Sequence, residues 1–136
     1  MGFRLRTSTH HTRELDVALH KLQQSPPDAL LDSPIAFFLA HGAAIAETAR
    51  KTKIPAIYGY REFPSDGGLA SYGPDLKRIG TVMADYVDRI LRGAKPGNLP
   101  IEQMSVYQLV INLHVARKQG IKVPQELLMR ADAVIR

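Results

Sequence analysis

The stretch KIPAIYGYREFPSDGGLASYGPDLKRIGTVMADYVDRILRGA, residues 53–94, carries the signals that decide the fold. It begins with a short apolar run at residues 54–58, which predicts a strand, and a turn rich in glycine leads to a second extended piece at residues 69–72. A long amphipathic helix is predicted next, ending at Gly93. Its apolar positions recur at helical spacing: Leu76, Ile79, Met83, Val87 and Ile90.

The flanking sequence continues the alternation of strands and helices. Before the central stretch, strands are predicted at residues 3–9 and 29–31, the latter buried on both faces. Helices are predicted between a cap at Thr12 and a stop at Ser25, and at residues 37–51. After it come a strand at 106–111, a helix at 113–119 and an amphipathic helix at 124–136. Such alternation is typical of parallel βαβ units with right-handed crossovers. The predicted fold class is therefore α/β, with a parallel, flavodoxin-like sheet.

The central stretch resembles the substrate-binding subunits of ABC importers that have the type I periplasmic-binding-protein fold. Within that family it is most similar to the branch related to tryptophan and tyrosine binders, in which the motif forms one wall of the ligand cleft and a crossing between two lobes. The matching residues are Pro55, Ala56, Ile57, Tyr58, Arg61, Glu62, Phe63, Gly67, Gly68, Leu69, Ser71, Tyr72, Gly73, Asp75, Leu76, Tyr86, Val87, Asp88, Ile90, Leu91, Gly93, Lys95, Pro96, Leu99 and Pro100.

The resemblance implies a partial domain, because complete members of the family are roughly twice as long. It implies that residues 1–73 form βαβ units of the second lobe, that residues 74–93 form the helix that crosses between lobes, and that residues 94–136 form the closing C-terminal segments. The first lobe, together with the first strand and helix of the second, has no counterpart here. The expected structure is thus a truncated lobe.

Candidate ligand-binding residues follow the predicted strands. In open parallel sheets, ligands bind outside the carboxyl ends of the strands, where loops present side chains to a crevice. By that rule the candidates are Phe37, Tyr58, Tyr60, Arg61, Tyr72 and Asp75. The tyrosines could supply flat walls, Arg61 could pair with a carboxylate, and Asp75 could accept hydrogen bonds from an ammonium group.

A simpler interpretation remains open for the same residues. Tyr58 and Tyr72 could be packing residues at the end of the sheet, and Arg61 could pair with its neighbour Glu62. One departure from the family also bears on the ligand. Relatives commonly read LPDPxFFxxR after the strand at residues 29–31, and the usual acidic residue is Ile35 here. A polar ligand would lose one orienting partner at this position.

The composition excludes several classes of protein. The 18 Lys and Arg residues exceed the 13 Asp and Glu residues, giving a formal net charge of +5, but they are scattered along the chain and no aromatic residues interleave with them. This distribution argues against nucleic-acid binding. The sequence has no cysteine, which excludes disulfides, thiolate metal sites and a cysteine nucleophile.

Neither a membrane span nor an export signal is recognisable in the sequence. No stretch approaches the roughly 20 apolar residues that cross a bilayer, and the N-terminus lacks the apolar core of a secretory signal. We therefore expect this chain, expressed alone, to stay in the cytoplasm, although the family that it resembles works in the periplasm.

Motifs for catalysis, metals and cofactors are missing. His41 and Glu47 do not have the spacing of a zinc-binding HExxH motif, and adjacent His10 and His11 would point to opposite faces of a strand. Ser71 is not in a GxSxG nucleophile elbow, because Leu69 stands where that motif needs glycine. We expect no enzyme activity, no metal and no cofactor.

Three hypotheses about function follow. The favoured one is a solute-binding component, or a truncated remnant of one, that binds a small ligand such as an amino acid and works with an ABC permease. The alternative is a stand-alone sensor or oligomerisation module derived from the same fold, and an enzyme of flavodoxin-like architecture is the least favoured. Because loss of a central strand would leave unpaired backbone groups, we also expect a homodimer.

Overall fold

The structure is a computed structural model that describes residues 12–103 and 106–136. The predicted strand at residues 3–9 and the pair His10 and His11 lie outside the described residues. The helices are α1 (Thr12–Gln24), α2 (Ala36–Ala40), α3 (Gly42–Lys51), α4 (Glu62–Ser65), α5 (Leu76–Leu91), α6 (Leu113–Gln119) and α7 (Gln125–Arg130), with a 3₁₀ turn at Pro96–Asn98. The strands are β1 (Leu30–Leu31), β2 (Ala56–Tyr58), β3 (Ala70–Pro74), β4 (Tyr107–Asn112) and β5 (Ala133–Ile135).

The described strands form one sheet in the order β1-β2-β3-β4-β5. Strands β1, β2 and β3 run parallel to one another, as do β4 and β5. Strands β3 and β4 run in opposite directions, because the Asn112 amide donates to the Leu69 carbonyl while the Asp75 amide donates to the Val106 carbonyl. The mostly parallel sheet and its helices confirm the predicted α/β class.

The larger core cluster lies on one face of this sheet. Helices α1 and α3 pack together, and Leu15, Ile45 and Ala49 are buried with the strand residues Ala56 and Tyr58. Alternate residues of the same strands project to the other face, where Leu31 is 80% exposed and Ile57 is also exposed. The prediction that residues 29–31 are covered on both faces is therefore wrong. Leu31 points away from the core, because successive residues of a strand face opposite sides.

Two predicted helices differ from the observed ones. The predicted helix at residues 37–51 is divided into α2 and α3 at His41, whose backbone leaves the helical region (φ −111°, ψ 15°). The terminal helix stops at Arg130, and the chain continues as β5. The reason is pairing with β4: the Asp132 amide donates to the Leu109 carbonyl, and the Leu109 amide donates to the Asp132 carboxylate.

Other helices are confirmed and have clear local causes. The Asp75 carboxylate caps the start of α5 by accepting hydrogen bonds from the amides of Lys77 and Arg78. Asn112 caps α6 through the Val115 amide, and Gly120 ends that helix in the left-handed conformation. No helix within residues 12–103 and 106–136 is long and apolar enough to cross a bilayer.

The chain divides into two compact units. The first contains residues 12–73 and Gln108–Arg136, and the second is Pro74–Tyr107. Helix α5 lies in the second unit, where the Tyr86 hydroxyl donates to the Pro100 carbonyl. The chain leaves the first unit through β3 and returns to it through β4.

Candidate functional site

The loops that follow β1 and β2 pack directly against each other. The Tyr60 hydroxyl donates to the Pro34 carbonyl at 2.9 Å. A side chain at Gly59 would place its Cβ only 2.6 Å from the backbone of Pro34, so glycine is required for this approach. The two loops therefore form one continuous surface at the carboxyl ends of the parallel strands, where ligands of α/β proteins bind.

Arg61 is tied to this surface by a residue distant in sequence. Its Nη1 donates a 3.0 Å hydrogen bond to the side-chain carbonyl of Gln108 on β4. This bond uses one of the five N–H donors of the guanidinium group. Among the ion pairs of the described residues, none joins Arg61 to Glu62. Arg61 is half-buried, so its charge is held in place but still reaches the surface.

Tyr58 occupies the core rather than an open surface. Only 1% of the residue is exposed, and its ring stacks on that of Phe63 with centroids 4.4 Å apart and planes 10° from parallel. Burial raises the pKa of the Tyr58 hydroxyl above its ordinary value, with a smaller contribution from the negative charge of Asp32. Its position favours the packing interpretation that the sequence left open.

A row of buried polar side chains crosses the ends of β1, β2 and β3. The Asp32 amide donates to the Ile57 carbonyl, which places Asp32 beside Tyr58, and Tyr58 in turn pairs with Ser71. Asp32 is 8% exposed and Ser71 is fully buried. Within the described part of the chain, Asp32 Oδ2, Tyr58 Oη and Ser71 Oγ have no hydrogen-bond partner. Buried polar atoms of this kind are uncommon and point to a bound water or a functional role.

Asp32 is the member of this row whose pKa, about 6, lies closest to neutral pH. Burial raises its pKa to about 6, and a hydrogen bond from the Gly59 backbone opposes that rise. By its sequence position Asp32 begins one of the candidate ranges after the strands, residues 32–38, but it is not among the six individual ligand residues predicted above. The available signal was a carboxylate placed directly after a predicted strand, but its burial depends on how the loops fold over it.

The other three predicted ligand residues, Phe37, Tyr72 and Asp75, have different surroundings. Phe37 packs edge-on against Phe38 with ring centroids 5.7 Å apart, and it contacts the same core cluster as Tyr60. Tyr72 projects from the sheet face opposite the core and is exposed. Asp75 belongs to the second unit, where its carboxylate caps α5.

The chemistry of this surface suits recognition of a small polar ligand. It combines a positioned cation at Arg61, an aromatic hydroxyl at Tyr60 and an amide at Gln108. Among the described residues, no group of three His, Asp or Glu side chains is placed to hold a metal ion.

The sequence of the chain matches one family model. A family model described as ABC transporter substrate binding protein matches residues 5–135. No curated protein sequence matches the chain at a significant level.

Several solved structures share the fold. A conserved domain protein from Vibrio cholerae O1 biovar El Tor is 27% identical with a TM-score of 0.81, and the match covers 90% of this chain and 41% of that one. An ABC domain from Streptococcus pneumonia in complex with L-Trp is 25% identical with a TM-score of 0.82, covering 91% and 43%. A ligand-free, open substrate-binding protein with adhesive properties from Clostridium difficile is 17% identical with a TM-score of 0.63, covering 96% and 43%. The chain thus spans less than half the length of these proteins.

Proposed function

Because the chain belongs to the ABC transporter substrate-binding protein family, we propose that it forms one wall of a cleft that binds a small ligand for an ABC import system. The observation that carries this proposal is the surface after β1 and β2, where Tyr60 is bonded to Pro34 and Arg61 is bonded to Gln108. Side chains fixed in this way before binding lose little freedom when a ligand arrives, which favours affinity.

An amino acid or a related small zwitterion is the ligand class that we propose. The half-buried guanidinium of Arg61 suits a carboxylate, with which arginine can form two parallel hydrogen bonds. Support for this class comes from the Streptococcus pneumonia domain, which was solved in complex with L-Trp. Tyr60, Phe37 and Tyr72 are the aromatic residues proposed to line the wall, and Tyr58 supports it from the core.

We keep Asp75 as a proposed acceptor for an ammonium group, because a carboxylate forms charge-assisted hydrogen bonds with such a group. Ile35 stands where relatives commonly have an acid. Within its own unit, Asp75 Oδ1 accepts hydrogen bonds from the amides of Lys77 and Arg78 and so caps α5.

The proposed partners follow from the family. Members deliver a small ligand to an ABC permease, and the family works in the periplasm. The role is one of binding and release without chemical conversion, so we propose no enzyme activity and no nucleic-acid partner. Since the chain spans 41% and 43% of two solved relatives, the opposing wall of the cleft would come from another lobe.

A thermal-shift screen against free amino acids tests the proposal. We expect at least one of them to raise the melting temperature, because a ligand that binds only the folded state stabilises it by mass action. Isothermal titration calorimetry of the wild type and of Arg61→Ala then measures the affinity. If no amino acid shifts the melting temperature at millimolar concentration, the chain does not bind this class of ligand without the other lobe.

The second candidate function is a stand-alone oligomerisation module. It is favoured by α5, a 16-residue helix in which no residue is buried. Such a helix exposes more apolar surface than a soluble monomer usually does. This candidate predicts self-association without any response to small ligands.

A further inference from the structure

Strand β4 holds the segment that follows β2 at two points. The Gln108 side-chain carbonyl accepts the 3.0 Å hydrogen bond from Arg61 Nη1, and the Asn112 side-chain amide donates a 2.8 Å hydrogen bond to the Pro64 carbonyl. Gln108 and Asn112 are four residues apart on the strand, so their side chains project from the same face of the sheet. All four residues belong to the first unit. The segment from Arg61 to Pro64 is therefore fixed at both of its ends.

The backbone of Arg61 has a buried support. Arg61 directly precedes α4, in which Phe63 and Pro64 are buried. Asn112, which holds the Pro64 end of this segment, is only 6% exposed. The buried helix and its buried anchor fix where the Arg61 backbone lies, and the bond to Gln108 then fixes the direction of the guanidinium group.

The bond to Gln108 positions the guanidinium group without cancelling its charge. A carboxamide oxygen accepts hydrogen bonds but has no formal charge. Among the ion pairs of the described residues, none involves Arg61. Arg61 and Gln108 are both half-buried, and charges that are partly removed from water are screened less than charges on an open surface. Arg61 thus provides a fixed positive charge that no described residue neutralises.

We infer that Gln108 is a positioning residue that makes the Arg61 site select ligands with a carboxylate. The inference rests on the proposed solute-binding function and names the group of the ligand that this site recognises. Because Gln108 is neutral, the ligand supplies the negative charge that pairs with the guanidinium group. Arginine forms two parallel hydrogen bonds with a carboxylate, and Gln108 keeps the group in place for them.

The substitution Gln108→Glu separates charge from geometry, because it changes the shape of the side chain very little. The new carboxylate would accept the bond from Arg61, but it would also cancel the guanidinium charge and repel the carboxylate of the ligand. We expect this variant to weaken binding of a carboxylate ligand by about 30-fold or more. Gln108→Ala should weaken it by less than about tenfold, because one neutral hydrogen bond is lost and the charge remains. A purely geometric role would reverse this order.

Nuclear magnetic resonance of the Arg61 side chain tests the inference without a high-affinity ligand. Acetate is the probe, because it is a minimal carboxylate, and acetamide is its neutral counterpart. At constant pH and ionic strength, we expect acetate to shift the Arg61 Nε–H signal in a saturable way and acetamide to leave it unchanged. The spectrum of Arg61→Lys, in which this signal is missing, assigns it.

The same titration compares the variants. We expect the acetate shift to be lost in Gln108→Glu and retained in Gln108→Ala. Gln23→Glu is the matched control, because it adds the same charge at an exposed position of α1 and should respond as the wild type does. Circular dichroism checks that each variant is folded, and the wild-type titration with acetate and acetamide depends on no variant.

Calorimetry with an amino acid and with its carboxamide derivative extends the test to a whole ligand. We expect the wild type to bind the acid more tightly than the amide, because only the acid brings the negative charge that pairs with Arg61. In Gln108→Glu the ratio of the two affinities should fall by about tenfold or more.

The possible outcomes separate this inference from the proposed function. If acetate does not shift the Arg61 signal in the wild type, the inference is wrong, even where an amino acid binds. Equal acetate responses in the wild type and Gln108→Glu would also overturn it, because the charge at position 108 would then have no effect. If the acetate shift is lost in Gln108→Glu while no amino acid raises the melting temperature, carboxylate selection at Arg61 is supported and the amino-acid proposal is refuted.

Discussion

Arg61 Nη1 donates a 3.0 Å hydrogen bond to Gln108 Oε1, although the two residues are 47 positions apart in the chain. The bond links the loop after β2 to strand β4, which enters the sheet much later in the sequence. It holds the guanidinium at the carboxyl edge of the sheet, where the proposed ligand would bind. The position of the charge is therefore a product of tertiary structure.

The first prediction concerns Arg61. Arg61→Ala is expected to weaken binding of an amino-acid ligand by about 2–5 kcal/mol, because the ligand carboxylate would lose its charged partner. Gln108→Ala should have a smaller effect, since it releases the guanidinium without removing it. Calorimetry on both variants measures the difference. Arg50→Ala, an exposed change on α3, is the control, and affinity that survives in Arg61→Ala would place the site elsewhere.

The second prediction separates the two interpretations of Tyr58. In the packing interpretation, Tyr58→Phe leaves the free energy of unfolding unchanged or raises it by about 1 kcal/mol, because it removes a buried hydroxyl that has no hydrogen-bond partner among the described residues. Tyr58→Ala should lower it by about 3–5 kcal/mol through loss of the stacked ring. Urea denaturation measures both changes. If Tyr58→Phe instead lowers ligand affinity while stability is retained, the hydroxyl contacts the ligand.

The third prediction is a dependence of stability on pH that originates at Asp32. Burial raises its pKa from 3.8 to about 6 in the folded chain. Between these values the unfolded chain releases this proton while the folded chain keeps it. The free energy of unfolding should therefore fall as the pH rises through this window, by up to about 2 kcal/mol, and the effect should level off above about pH 6.

Asp32→Asn is the matched variant, because it keeps the shape and the polar character of the side chain but cannot ionise. Urea denaturation across the same pH window should show a weaker fall for this variant than for the wild type. Parallel profiles for the two proteins would assign the pH dependence to other groups.

The fourth prediction concerns Gly73. A Cβ at this position would lie 1.8 Å from the carbonyl oxygen of Gly59, so one of the two backbones would have to shift. Gly73→Ala should therefore destabilise the chain by more than about 3 kcal/mol. Gly80→Ala, where nothing lies within 4 Å, should instead raise stability by about 1 kcal/mol through better helix propensity. Equal melting temperatures for the two variants would contradict the close approach of the backbones.

The sequence predicted the parts of the fold that depend on local signals. Helix α5 follows from its apolar spacing, and α6 follows from Asn112 and Gly120, whereas the role of Asp75 as the cap of α5 is seen only in the structure. These signals act between neighbours in the chain, so they can be read without a tertiary structure. The alternation of such helices with short apolar runs was likewise enough to indicate the α/β class.

Only the tertiary structure decided which residues are buried, paired or presented to a ligand. Residues 133–135 have apolar side chains at helical spacing, but they form β5. Their backbone groups pair with those of β4, and this pairing outweighs the local helical preference. Leu31 is exposed and Tyr58 is buried because the core cluster around Tyr58 lies on one face of the sheet. The enclosure of Asp32 and the bond between Arg61 and Gln108 depend on loops and strands that are distant in sequence. Burial and long-range hydrogen bonds form only when segments distant in sequence pack together, so a local sequence pattern cannot predict them.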